Sequence, residues 1–118
     1  MNTLKTEIAN ILKDLGVSAN LRGYVYLRRA VELALALPDA NRLALTKLLY
    51  PQIAAEFDTT PSGVERTIRH AIEVSCNRGS EAAFNQIFRY SYSARRGKPT
   101  NSEYVATIAD YIKLKGEQ

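Results

Sequence analysis

A chain of 118 residues, 46% of them hydrophobic, has material for one compact core and too little for two comfortable domains, so residues 1–118 are expected to form a single domain. No run approaches the roughly 18–20 consecutive apolar residues of a membrane span, and Met1-Asn2-Thr3-Leu4-Lys5 does not open a secretory signal; a cytoplasmic protein without membrane contact is expected. The single cysteine, Cys76, excludes an internal disulfide and any multi-cysteine zinc site, and the formal net charge of +4 is modest.

In chain order, Leu4, Ile8, Ile11, Leu12 and Leu15 recur at helical spacing, and Gly16 follows as a left-handed cap for a first helix. A second helix starts near Asn20, carries Tyr24, Leu27, Val31 and Leu35, and ends at Pro38-Asp39. Asp39 or Asn41 caps a third helix holding Leu43, Leu45, Leu48, Leu49, Ile53 and Phe57. Pro51 lies inside that pattern, removes a backbone donor, and should kink the helix or divide it in two. Phe84, Ile87, Phe88 and Tyr92 predict a short helix after Arg78-Gly79. Thr100 or Asn101 then caps a final helix bearing Tyr104, Val105, Ile108, Ile112 and Leu114. No stretch alternates with period two, and the chain reads as all-α.

Residues 53–72 form the most informative segment: two helices joined by a tight turn, within a helix-turn-helix over about 42–78. With Ser62 at zero on a helical wheel, Arg66, Arg69, His70 and Glu73 fall at roughly 40°, 340°, 80° and 20°, while Val64, Ile68, Ala71, Ile72 and Ser75 fall between roughly 180° and 280°. The apolar side can pack on Ile53, Ala54 and Phe57, with the small Ala54 permitting a close crossing. Two arginines one turn apart on the polar side suit bidentate contact with guanine O6 and N7. Thr60 and Pro61 form a helix start, a capping hydroxyl followed by a residue whose missing N–H is not needed there. Gly63 is the weak point, since glycine inside a helix costs about 0.5–1 kcal/mol relative to alanine.

Charge follows the same segment. Residues 60–100 carry seven basic groups (Arg66, Arg69, Arg78, Arg89, Arg95, Arg96, Lys98) against three acidic ones (Glu65, Glu73, Glu81), a local excess equal to that of the whole chain. The arrangement suits a side that meets phosphates, or a solvated basic surface with no partner. Enzymatic chemistry finds little support. His70 and Cys76 point about 240° apart on one helix, acidic residues do not cluster as metal ligands, and no glycine-rich phosphate loop is present. Neither a metal, a cofactor nor a small-molecule substrate is expected.

Several scattered motifs carry a resemblance: Gly23-Tyr24-Val25-Tyr26-Leu27-Arg28, Leu49-Tyr50-Pro51-Gln52-Ile53-Ala54, Phe57-Asp58-Thr59-Thr60, the run from Val64 to Glu73, Arg78-Gly79, and Lys98-Pro99-Thr100-Asn101-Ser102-Glu103. Together they closely resemble the C-terminal effector domain of the sporulation initiation response regulator, over nearly the whole chain. The resemblance implies a compact bundle of about six helices that binds short boxes of double-stranded DNA. It also implies self-association on tandem sites and transcriptional regulation partly through the RNA polymerase sigma subunit. The recognition helix would span about 61–78, and Ser62, Gly63, Glu65, Arg66, Arg69 and His70 would lie at the DNA. Arg66 and Arg69 would take base edges or adjacent phosphates, and Glu65 would accept from a cytosine amino group. His70 would donate to a phosphate or a base, or else be an ordinary surface histidine. Arg95, Arg96 and Lys98, in the loop before the last helix, would reach phosphates or remain solvated.

The chain also departs from that family. Gly63 stands where another basic residue is usual, Cys76 lies near a customary tryptophan, and residues 79–92, the sigma-facing segment, place Glu81 and Arg89 in unfamiliar positions. Full-length members carry a phosphorylatable receiver domain, for which 118 residues leave no room; a stand-alone regulator or a fragment is expected. The rival reading is an interaction module, or an antagonist, that keeps the fold and binds another regulator in place of DNA.

Overall fold

The computed structural model describes residues 3–37, 45–88 and 97–116. Six helices follow one another: α1 (Thr3–Asp14), α2 (Arg22–Leu35), α3 (Leu45–Glu56), α4 (Pro61–Arg78), α5 (Glu81–Phe88) and α6 (Asn101–Gly116), with no strand among the described residues. The radius of gyration is 13.2 Å, close to the ~13.5 Å expected of a compact chain this long.

Helix α2 is the centre of the bundle because its sequence supplies one unbroken buried stripe, Gly23, Tyr26, Leu27, Ala30, Val31 and Ala34, at alternating intervals of three and one. It lies against both α4 and α6. These contribute Val64, Ile68, Ala71 and Ile72 from one side and Tyr104, Val105, Ile108 and Ala109 from the other, all at most 2% exposed. Phe88 extends the core toward α5, its ring centroid 5.3 Å from those of both Phe84 and Tyr104.

Two helix ends use the same closing geometry. After α1, the Val17 amide donates to Leu12 O (2.8 Å) and the Gly16 amide to Lys13 O (3.0 Å), with Gly16 at φ +85°; this is the left-handed cap expected from the sequence. After α3, the Thr59 amide donates to Ala54 O (2.9 Å) and Asp58 takes φ +55°. Aspartate tolerates that region better than most residues, and its use here closes the helix-turn-helix corner without glycine.

Three expectations need adjustment. Pro51 does not divide its helix, since α3 runs continuously through it. The ring is exposed, while Leu49, Ile53 and Ala54 are buried, and that packing holds the helix across the missing donor. Helix α2 starts at Arg22, two residues later than the pattern suggested. Phe57 is 40% exposed and lies edge-on to Tyr26 of α2, ring centroids 5.2 Å apart, so it is not a core anchor. A close crossing not singled out from sequence lies at Gly23, where a Cβ would stand 2.6 Å from Ala71 Cβ and 2.8 Å from Thr67 O. The proposed caps Asp39 and Asn41, together with Leu43 and Tyr92, lie outside the described residues.

One buried polar node ties α4 and α6 to the turn after α1. Ser75 is 0% exposed and donates to Leu15 O at 2.6 Å, while the Tyr104 hydroxyl lies 2.6 Å from Ser75 Oγ. Because the serine proton goes to the carbonyl, Tyr104 is the donor in the second bond. Burial raises the Tyr104 hydroxyl well above the usual phenol range, keeping it protonated and able to donate.

Arg29 of α2 grips the end of α3 with Nε on Glu56 Oε1 (2.8 Å) and Nη2 on Oε2 (3.0 Å). The hydrogen bond to this guanidinium holds the Glu56 carboxyl below its ordinary range. A depressed carboxylate stabilises above its unfolded pKa, and that contribution is lost as pH falls through the folded one. Both side chains are 34% exposed, which keeps the effect at the surface scale. Glu56→Gln is expected to lower stability by about 0.5 kcal/mol at neutral pH, with the difference from wild type vanishing in acid. Urea titrations across the carboxylate range check this.

Candidate nucleic-acid interface

The surface of α4 follows from how the helix is started and buried. Thr60, in extended backbone, accepts from the Gly63 amide at 3.0 Å, and Pro61 occupies the first turn. Gly63 is thus a first-turn residue whose amide is capped. A Cβ there would stand 3.0 Å from Thr60 Oγ1 and 3.2 Å from Thr59 Oγ1, so a side chain at Gly63 would crowd the cap. Thr60→Ala is expected to cost about 1 kcal/mol in unfolding free energy, read from thermal melts.

Val64, Ile68, Ala71, Ile72 and Ser75 are buried, so the opposite side must face solvent. There Ser62, Arg66, Arg69 and His70 are all exposed, and Glu65 is half-buried. Their states differ. Arg66 has no hydrogen-bond or ion-pair partner among the described residues, whereas Arg69 bonds to the Glu65 carboxylate one turn back. Glu65 is therefore occupied in the free protein. His70, its side chain 69% exposed, has Nδ1 3.9 Å from Glu73 Oε1, too long for a hydrogen bond.

Lys98 is exposed in the segment leading into α6. Its neighbourhood is braced by Asn101, whose Nδ2 donates to Tyr50 Oη of α3 (2.8 Å) and to Glu65 O of α4 (3.1 Å). A reciprocal cap at the start of α6 reinforces it, the Thr100 amide on Glu103 Oε1 (2.8 Å) and the Glu103 amide on Thr100 Oγ1 (3.1 Å). Arg95 and Arg96 lie outside the described residues. Two further cations were not singled out from sequence. Arg22 borders the same concavity as Arg66 and His70, and Lys47 borders one that holds Arg69 and Lys98. Both are remote from α4 along the chain, and no local pattern marks them.

Cys76 is half-buried and burial pushes its thiol up, away from a reactive thiolate. Among the described residues, no group of three or more His, Cys, Asp and Glu side chains is placed to hold a metal, and no helix is long and apolar enough to cross a membrane.

A closed corner between α3 and α4, with α4 buried on one side and basic on the other, defines an all-helical protein of the helix-turn-helix class. The family model described as Sporulation initiation factor Spo0A C terminal matches residues 8–112, from the first buried isoleucine of α1 to the last of α6. The chain belongs to that family, which consists of DNA-binding effector domains of the sporulation regulator and is not a family of enzymes.

Proposed function

We propose that the chain is a sequence-specific transcription regulator, one domain over residues 1–118, that works in the cytoplasm by laying α4 in the major groove of duplex DNA. The observation that carries this reading is the exposed side of α4, where Ser62, Arg66, Arg69 and His70 stand clear of a fully anchored opposite side. Arg66 reads a guanine edge, since its fork is uncommitted among the described residues. Arg69 reaches a base or phosphate from the position Glu65 gives it, and Glu65 can turn to a cytosine amino group when Arg69 engages DNA. His70 and Lys98 take phosphates, and Gly63 lets the start of α4 approach closely without adding a contact of its own. Kinship supports two further parts: self-association on tandem sites, and contact with the polymerase sigma subunit through α5, which exposes Glu81, Ala82, Asn85 and Gln86.

Fluorescence anisotropy on labelled duplexes tests the reading. The expected result is a preferred sequence bound at about 10⁻⁸ M or tighter, with unrelated duplexes at least about 10³-fold weaker and a steep loss of affinity with salt. Equal affinity for all sequences, or none at low salt, would favour an interaction module that uses this surface for a protein.

A further inference from the structure

We infer that α4 is flanked by two built phosphate anchors, Arg22 on one side and Lys47 on the other, each gripping a different DNA strand; this rests on the reading of α4 as the DNA-reading helix. A helix with its side chains is about 10–12 Å across, and the major groove is about 12 Å wide. The helix therefore fills the groove, and cations that meet the bordering phosphates must come from elements on either side of it.

The surface has this form. One concavity joins Gly63, Arg66, Thr67 and His70 of α4, at roughly 40° to 140° on the wheel, to Arg22 at the start of α2. Two arginines and a histidine line it, and no carboxylate does. The other joins Glu65, Arg69, Ile72 and Glu73, at roughly 280° through zero to 20°, to Lys47 of α3 and Lys98 before α6. The two flanks meet along the exposed side of α4, between Glu73 at roughly 20° and Arg66 at roughly 40°. Arg22, Lys47 and Lys98 are exposed, and among the described residues none has an ion-pair partner. The carboxylates near α2, Glu32 and Glu56, are engaged with Arg29.

Both anchors are also held in place. Gly23, adjacent to Arg22, abuts Ala71 and Thr67 of α4, so the start of α2 cannot drift from the recognition helix. On the other flank, Tyr50, one turn along α3 from Lys47, accepts from Asn101, which also bonds to Glu65 O. Arg22 and Lys47 thus sit at fixed offsets from α4, as register-setting phosphate contacts require.

The test uses the intact chain with Arg22→Ala, Arg22→Gln and Lys47→Ala, on a preferred duplex and a scrambled one of equal length, between 50 and 200 mM salt. Each lost phosphate contact should make the slope of log affinity on log salt shallower by about 0.9, on both duplexes. The advantage of wild type over each variant then shrinks about 3.5-fold over that range, with thermal midpoints unchanged. An unchanged slope for a folded Arg22 or Lys47 variant overturns the inference while leaving DNA reading by α4 intact. So does a loss confined to the preferred duplex, which would mark a base contact. Failure of wild type to bind any duplex defeats the DNA reading itself.

Discussion

Arg66→Ala is expected to weaken binding to a preferred duplex about 5- to 150-fold, or about 1–3 kcal/mol, and to relax the base preference at one position. The magnitude follows from the state of the side chain. Arg66 is exposed and has no partner among the described residues, so no bond to any of them must break before it binds, and its loss leaves none of them unsatisfied. Thermal stability should therefore hold, because surface changes away from caps and networks usually stay within about 0.5 kcal/mol. Arg69→Ala offers the internal contrast, since it also releases Glu65 and leaves an unpaired carboxylate facing the phosphates. Equilibrium binding to a set of single-position variants of the preferred duplex measures both the loss and the relaxed position. Unaltered affinity in a folded Arg66→Ala protein would move the reading surface away from α4.

Gly23→Leu is expected to cost about 3 kcal/mol of folding stability, the upper end of the usual penalty for overpacking. The first added carbon would already stand 2.6 Å from Ala71 Cβ and 2.8 Å from a backbone oxygen of α4. Backbone cannot yield as the end of a flexible side chain can, so α2 and α4 must separate. The central helix would then lose its fit to the reading helix, and DNA affinity should fall along with stability. Urea denaturation gives the stability loss. A variant as stable as wild type would show that the crossing is looser than the geometry requires.

What could be read from sequence and what could not divide along physical lines. Features set within one or two turns were legible: the Gly16 cap, the Thr60–Pro61 start, the Thr100 cap, and the two sides of α4. Each depends on residues a few positions apart, where helical periodicity and local hydrogen bonds decide the outcome. Pro51 shows the complementary case. A local rule allowed a kink or a division, and α3 is not divided there, with Leu49, Ile53 and Ala54 packed on the bundle. The packing roles of Gly23 and Ser75 were not legible because they come from partners 29 or more positions away, Thr67 and Ala71 for one, Leu15 and Tyr104 for the other. The site shows the same split. Its α4 residues were all visible on a wheel, but their different states, Arg66 without a partner among the described residues and Arg69 held by Glu65, emerged only with side chains in place. The flanking Arg22 and Lys47 required the tertiary fold to bring α2 and α3 to the edges of α4.

The central claim is that the exposed side of α4 reads base sequence. Selection of bound duplexes from a random pool, run in parallel with wild type and Arg66→Ala, tests it most directly. The pool is predicted to converge on a short motif with wild type, and to lose one position of that motif, a guanine, with the variant. A pool that stays random with folded wild-type protein, or that yields the same motif with the variant, would contradict it.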